Sequence, residues 1–180
     1  MKPVYRFPTR RYHGTQMQTS MLQLEMTWPR MNEKLDKLGY AGRRVLGYKL
    51  TEWQRQQKWT VEQCASFVES IWMGVGIGHF MVNSNFENEA IDGILLDGQQ
   101  RLFAIERYWN GEFPIVGDDG NAYFWHDLTE EEHRHFFRIP FPWLETQYKT
   151  EQECVDAYNR HNFSGTPHEA DEFAVVSKGI

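Results

Sequence analysis

Residues 94–109, ILLDGQQRLFAIERYW, constrain the fold of this chain more than any other stretch. Four apolar-rich positions too few for a helix run into a glycine. After it, Leu102, Ile105, Tyr108 and Trp109 recur at helical spacing on one face until Asn110-Gly111 stops the pattern. A strand that turns directly into an amphipathic helix demands an architecture in which sheet and helix share a core. The turn itself is unusual. A structural turn needs a glycine and a cap, yet five consecutive positions read Asp97, Gly98, Gln99, Gln100 and Arg101.

Around this unit, capping signals set the register of further helices. Thr60-Val-Glu-Gln63 is a capping-box pattern, followed by Val61, Cys64, Ala65, Val68, Ile71 and Trp72 on one stripe and an expected end near Gly74. The same pattern at 129–132 and 150–153 opens two more helices, and at 166–169, with Pro167 at the first helical position, a last one to about Val176. Residues 77–82 and 93–96 suit strands, 83–89 a polar loop. Residues 114–116 and 122–125 suit a hairpin around Gly-Asp-Asp-Gly-Asn, and 138–145 an extended, proline-bearing segment. Toward the N-terminus, 1–14 reads as an extended arm. Residues 16–38 read as a helix interrupted or restarted at Trp28-Pro29, and 39–48 as a linker with Arg43 and Arg44 exposed. The fold class is therefore mixed α/β or α+β, with a basic, partly helical extension over 1–46 and a domain over 47–180.

Charge is divided along the chain. The net charge is -6, but residues 1–50 carry ten Lys/Arg against three Asp/Glu, and the remainder nine against 22. A basic extension on an acidic body can steer toward nucleic-acid phosphates or fold onto its own acidic residues. The two cysteines, Cys64 and Cys154, are far apart and each sits on an apolar helix stripe, which points to buried thiols rather than a disulfide or zinc site. No apolar run approaches the roughly 20 residues that span a bilayer. The expectation is a cytoplasmic protein without membrane contact.

The polar turn admits two physical readings. Asp97 can cap the helix while the glutamines face solvent. Alternatively, unpaired amides at the helix start, with Gly98 allowing close approach and Arg101 adding a guanidinium fork, make an anion site where Asp97 holds a cation and the glutamines orient water or phosphate. Two other segments bear on the choice. Residues 50–60, LTEWQRQQKWT, set Gln54 and Arg55 between Trp53 and Trp59. Residues 157–173, AYNRHNFSGTPHEADEF, place Arg160 and Asn162 at a helix end before a glycine turn.

Together, and in this order, the three segments resemble the ParB/sulfiredoxin-like domain that begins GmrSD-type type IV restriction enzymes and related phage-defence proteins. Trp53, Gln54, Arg55 and Trp59 match its early segment and Asp97 to Arg101 its central signature. Tyr158, Arg160, Asn162, Gly165, Thr166 and Pro167 match its late segment. The resemblance covers about 47–176. It implies a ParB/sulfiredoxin-like core whose signature turn binds the phosphates of a nucleotide or of DNA, and a metal-dependent NTP hydrolase or DNA nickase in a restriction or anti-phage setting. Carried over, Asp97 assists a magnesium or manganese ion or a water, and Gly98 and Gln99 supply backbone amides. Gln100 orients the attacking water, and Arg101 neutralises developing charge. Gln54, Arg55, Arg160, Gly165 and Thr166 approach the phosphates, and Asn162 reads base or ribose. Two positions depart from the family pattern, His161 for leucine and Ser164 for glycine. No His-Asn-His nuclease motif occurs in these residues.

Other candidates are weaker. His133 and His135 are two apart on a helix and face different ways, so with His126 they do not make a metal pair. The cysteines have no reactive-thiol setting, and the Gly-Cys-His-Arg loop of sulfiredoxins is absent. The alternative to the enzyme is a non-catalytic DNA- or protein-binding module, phage-encoded, that meets a host or defence-system protein and interferes with restriction. A third reading makes the acidic body a DNA mimic.

Overall fold

A computed structural model describes residues 12–163. Six strands form one mixed sheet: β1 (Thr15–Met17), β2 (Arg43–Val45), β3 (Tyr48–Leu50), β4 (Phe80–Asn83), β5 (Ile94–Asp97) and, last in the chain, β8 (Trp143–Thr146). Their order is β1-β8-β4-β5-β3-β2. The β8–β4 and β5–β3 pairs are parallel and the others antiparallel. A small hairpin of β6 (Ile115–Val116) and β7 (Ala122–Tyr123) stands apart, as its turn residues predict.

The helices divide unequally between the two faces. α1 (Met21–Lys37), α2 (Val61–Trp72), α3 (Gln99–Trp109) and α4 (Glu130–Phe137) bury Met21, Leu24, Val68, Ile71, Leu102, Ile105 and Phe136 with Phe80, Val82 and Leu95 of the sheet. On the other face α5 (Glu151–Phe163) packs Cys154 and Ala157 against Met81, Ile94 and Leu96. The alternation of Leu95 with Ile94 and Leu96 explains why β5 is apolar throughout: both its faces are covered. The capping boxes at Thr60 and Thr129 form as predicted. At Thr150 the hydroxyl accepts from the Glu153 amide at 3.2 Å.

Three local expectations are corrected. Residues 15–17 are a strand on β8, not arm or helix. α1 continues through Pro29 without a break; Met21, Leu24 and Leu35, with Trp28 and Met31 beside them, hold a continuous stripe on the core, and burial of that face outweighs one missing backbone bond. The 39–48 linker contains β2, which turns into β3 through Leu46 and Gly47, both with positive φ, the backbone a two-residue hairpin requires. Arg43 is not a free surface charge: its guanidinium donates to the carbonyls of Thr51 and Gln54 at 2.7 Å each. Arg44 meets Asp36 at 2.7 Å and Lys34 meets Asp92 at 3.0 Å. The described part of the basic extension is thus built into the sheet and partly neutralised by local acids. The last predicted helix, 166–176, lies outside the described residues.

Candidate functional site

The turn from β5 to α3 is made possible by Gly98. Its φ of 95° is left-handed, and a Cβ there would stand 2.6 Å from Phe80 Cβ and 3.1 Å from Phe80 Cα. β4 therefore passes directly beneath the turn, and glycine is the residue that lets both chains occupy that space. Asp97 does not cap α3. Its Oδ2 accepts from Arg101 at 2.8 Å instead, and no side chain caps this helix. No partner for the amides of Gln99, Gln100 or Arg101 is found among the described residues. α2 and α4, by contrast, both begin with completed boxes.

A cavity of about 150 Å³ opens at this helix start. Gln54, Arg55 and Trp59 wall it from the loop after β3, Asp97 to Arg101 form its floor, and Tyr158 and Asn162 close it from α5. The three sequence segments that resemble a known domain therefore do meet in space. Arg160 lies on the exposed side of α5 and does not line the cavity. Gly165 and Thr166 lie outside the described residues.

The glutamines hold the walls together. Gln100 Oε1 accepts from the amides of Lys58 and Trp59 at 3.0 and 3.1 Å, and its Nε2 donates to the Gln56 carbonyl at 3.3 Å. Gln99 Nε2 donates to the Arg55 carbonyl at 3.0 Å. Gln54, buried, accepts from the Thr51 amide at 2.8 Å and donates to the Leu95 carbonyl. The side-chain amides of α3 thus do for the 55–59 loop what a neighbouring strand would do, satisfying backbone groups that are cut off from water. Both lone pairs of Gln100 Oε1 are engaged, which leaves one amide hydrogen to meet anything in the cavity.

Arg101 is the cation fixed at the floor. Its NH1 donates to the Ile77 carbonyl at 2.9 Å and its NH2 to Asp97, and with five donors in a planar fork it retains others for a ligand. The same guanidinium braces residues 74–79, GVGIGH: a Cβ at Gly78 would meet Arg101 NH1 at 2.8 Å. His161 feels both Asp97 and His79. Partial burial holds its imidazole below the ordinary 6.5, reinforced by His79 and opposed by Asp97. Neither histidine stood among the expected site residues, although the glycine-rich run before His79 and the departure at His161 were visible signals. Trp59 and Tyr158, quoted as parts of motifs, turn out to be walls. The Tyr158 hydroxyl accepts from the Arg55 amide at 3.4 Å.

Asp97 is the carboxylate of this cavity, and among the described residues no three His, Cys, Asp or Glu cluster as a metal site. That donor set fits magnesium or manganese only in the manner where one carboxylate and the substrate's own phosphates share the ion. Elsewhere, His133 Nε2 lies 2.9 Å from the Trp125 carbonyl and His135 stacks on Trp72. Cys64 does have a cationic neighbour, Arg107 at 3.7 Å, but burial still pushes its thiol up; Cys154 is pushed up to about 12.

A family model described as the GmrSD restriction endonuclease, N-terminal domain, matches residues 38–174. No curated protein and no solved structure matches the chain.

Proposed function

The chain belongs to the family of GmrSD restriction endonuclease N-terminal domains, and on that premise we propose that the cavity at the start of α3 binds the phosphates of a nucleotide or of DNA and supports their hydrolysis in a restriction or anti-phage system. The observation that carries this is the uncapped start of α3, with Arg101 fixed beside it in a walled recess. Such a helix start presents amide hydrogens and the positive end of the helix dipole to an anion. At about 150 Å³ the recess falls short of the roughly 300–1,000 Å³ of whole-ligand pockets, so it suits a phosphate group while the rest of the ligand lies outside.

Within it the residues divide by role. The amides of Gln99 to Arg101 and the Arg101 guanidinium contact phosphate oxygens and counter charge that develops on them. Arg55, on the wall, adds a second cation. Gln99, Gln100 and Gln54 act as positioning residues that keep the 55–59 loop in place. Asn162, whose Nδ2 is engaged by the Tyr158 carbonyl at 2.8 Å, offers its amide oxygen to a base or ribose. A divalent ion, when bound with the phosphates, supplies further charge neutralisation, and Asp97 keeps Oδ1 for it.

The test is phosphate release from a panel of nucleoside triphosphates, and nicking of plasmid DNA, with magnesium or manganese. Turnover in the wild type that Arg101→Ala abolishes supports hydrolysis. Binding without turnover in any combination would leave a non-catalytic module, the second reading, which the engaged state of Gln100 favours. DNA binding by such a module should weaken steeply with salt.

A further inference from the structure

The loop that walls the α3 cavity is held from behind as well as from the floor. Arg43 lies in β2, the edge strand of the sheet, opposite Leu50, the last residue of β3. The chain leaves the sheet at that point and turns through residues 51–56. The Arg43 guanidinium reaches into the turn: its NH2 donates to the carbonyls of Thr51 and Gln54 at 2.7 Å each, and its NH1 to the Arg55 carbonyl at 3.3 Å and to Gln56 Oε1 at 3.2 Å. The four hydrogens of its two terminal nitrogens are all used. Three backbone carbonyls thus converge on one planar cation, which satisfies them and offsets the repulsion between their dipoles.

The segment before Arg43 supports this geometry. The Tyr40 hydroxyl shares its hydrogen between the carbonyls of Arg43 and Leu50, at 3.2 and 3.0 Å, stapling β2 to β3 where the guanidinium emerges. Gly42 gives that ring its room, since a Cβ there would overlap the Tyr40 hydroxyl.

The Arg55 carbonyl joins the two sides of the loop. It accepts from Arg43 behind the loop and from Gln99 Nε2 at 3.0 Å on the cavity floor, while the Arg55 amide donates to the Tyr158 hydroxyl at 3.4 Å. Its backbone is therefore fixed from β2, α3 and α5 together, and that sets where its side chain leaves the loop. Arg55 lines the cavity and Arg43 does not. Arg43 can serve the site only through the loop.

We infer that Arg43 is a positioning residue for the phosphate site: its planar fork templates the 51–56 turn and so holds the Arg55 side chain against the ligand. This rests on the phosphate reading of the α3 cavity. It is the shape of the guanidinium that acts, because a lysine ammonium, with three hydrogens on one atom, cannot span four acceptors.

The test combines amide exchange in the free chain with calorimetric titration of inorganic triphosphate and magnesium. In Arg43→Ala, exchange at Gln54 and Arg55 should quicken about tenfold, while that of Met81 and Val82 in β4 stays at its wild-type rate. Triphosphate affinity should fall about tenfold, and Arg43→Lys should repeat both effects. Added to Arg55→Ala, Arg43→Ala should change affinity less than about twofold, because the side chain it positions is already gone. Unchanged exchange at Gln54 and Arg55, wild-type behaviour of Arg43→Lys, or an additive loss in the double variant would overturn the assignment, the last by giving Arg43 a charge effect of its own. Exchange that quickens equally in β4 would also overturn it, since Arg43 would then be a general support of the sheet. Should Arg43→Ala melt without cooperativity, Arg43→Lys decides. A wild type that binds no triphosphate defeats the phosphate reading instead, and exchange at Gln54 and Arg55 in the free chain still decides whether Arg43 holds the loop.

Discussion

Two cavities of this chain are built in opposite ways. The α3 cavity, about 150 Å³, is floored by five consecutive residues and walled by glutamines whose amides are tied to backbone. The α1 groove, about 490 Å³, is assembled from residues as distant as Arg30, Tyr48, Phe80 and Trp143. In the first, the polar groups hold the protein to itself, and the ligand-facing groups are backbone amides and one braced arginine. In the second, packing between α1 and the sheet holds the shape, over an aromatic floor of Tyr48, Phe80 and Trp143. A contiguous turn can be read as a motif because its residues act on one another locally; a groove gathered by tertiary packing has no such signature.

The comparison breaks most severely at Gly98, which lines the first cavity and packs on Phe80 of the second. Gly98→Ala would force a left-handed φ on alanine and drive its Cβ onto Phe80, which floors the groove. Strain and overlap together should remove about 4 kcal/mol of stability, seen in urea unfolding, with phosphate binding impaired. Wild-type stability and phosphate affinity in this variant would show that the turn does not need glycine at this position. Next in size, Arg101→Ala should lower phosphate turnover or affinity about 100-fold, the effect of removing one fixed donor from a developing oxyanion.

Gln100→Ala sharpens the contrast between holding and contacting. It leaves the amides of Lys58 and Trp59 without their acceptor and should cost about 2 kcal/mol in unfolding. Because the 55–59 loop then loosens, phosphate affinity falls with it. A large drop in turnover with unchanged stability would instead make Gln100 a group that handles water. The smallest effect belongs to pH. His161, held below the ordinary 6.5, gains its positive charge only as pH falls beneath that value. Phosphate affinity should then rise about threefold through this range. His161→Leu should flatten the profile, and a rise that persists in this variant would show that another group carries it.

Much of this was legible in the sequence, for local reasons. The boxes at Thr60, Thr129 and Thr150, the two-faced burial of β5 and the stop at Asn110-Gly111 each depend on neighbours within a few residues. So did the convergence of Gln54, Arg55, Asp97 to Arg101 and Asn162, because three ordered motifs carried it. What escaped depends on distance. Pro29 reads as a break until the stripe of α1 is seen against the sheet. Arg43 reads as solvated until the carbonyls of Thr51 and Gln54 curl around it. Asp97 reads first as a cap and otherwise as a cation ligand, and the structure shows it paired with Arg101. Nothing in the chain order hinted that Tyr48 would line a cavity with Trp143.

The most direct test of the central claim is calorimetric titration of the purified chain with inorganic triphosphate and magnesium, run in parallel on Arg101→Ala and on Lys49→Met, a buried cation that does not line the α3 cavity. The geometry of α3 predicts one saturable site in the wild type, retained in Lys49→Met and lost in Arg101→Ala with its thermal unfolding still cooperative. Absence of binding in the wild type, or equal affinity in Arg101→Ala, would contradict a phosphate site at the start of α3.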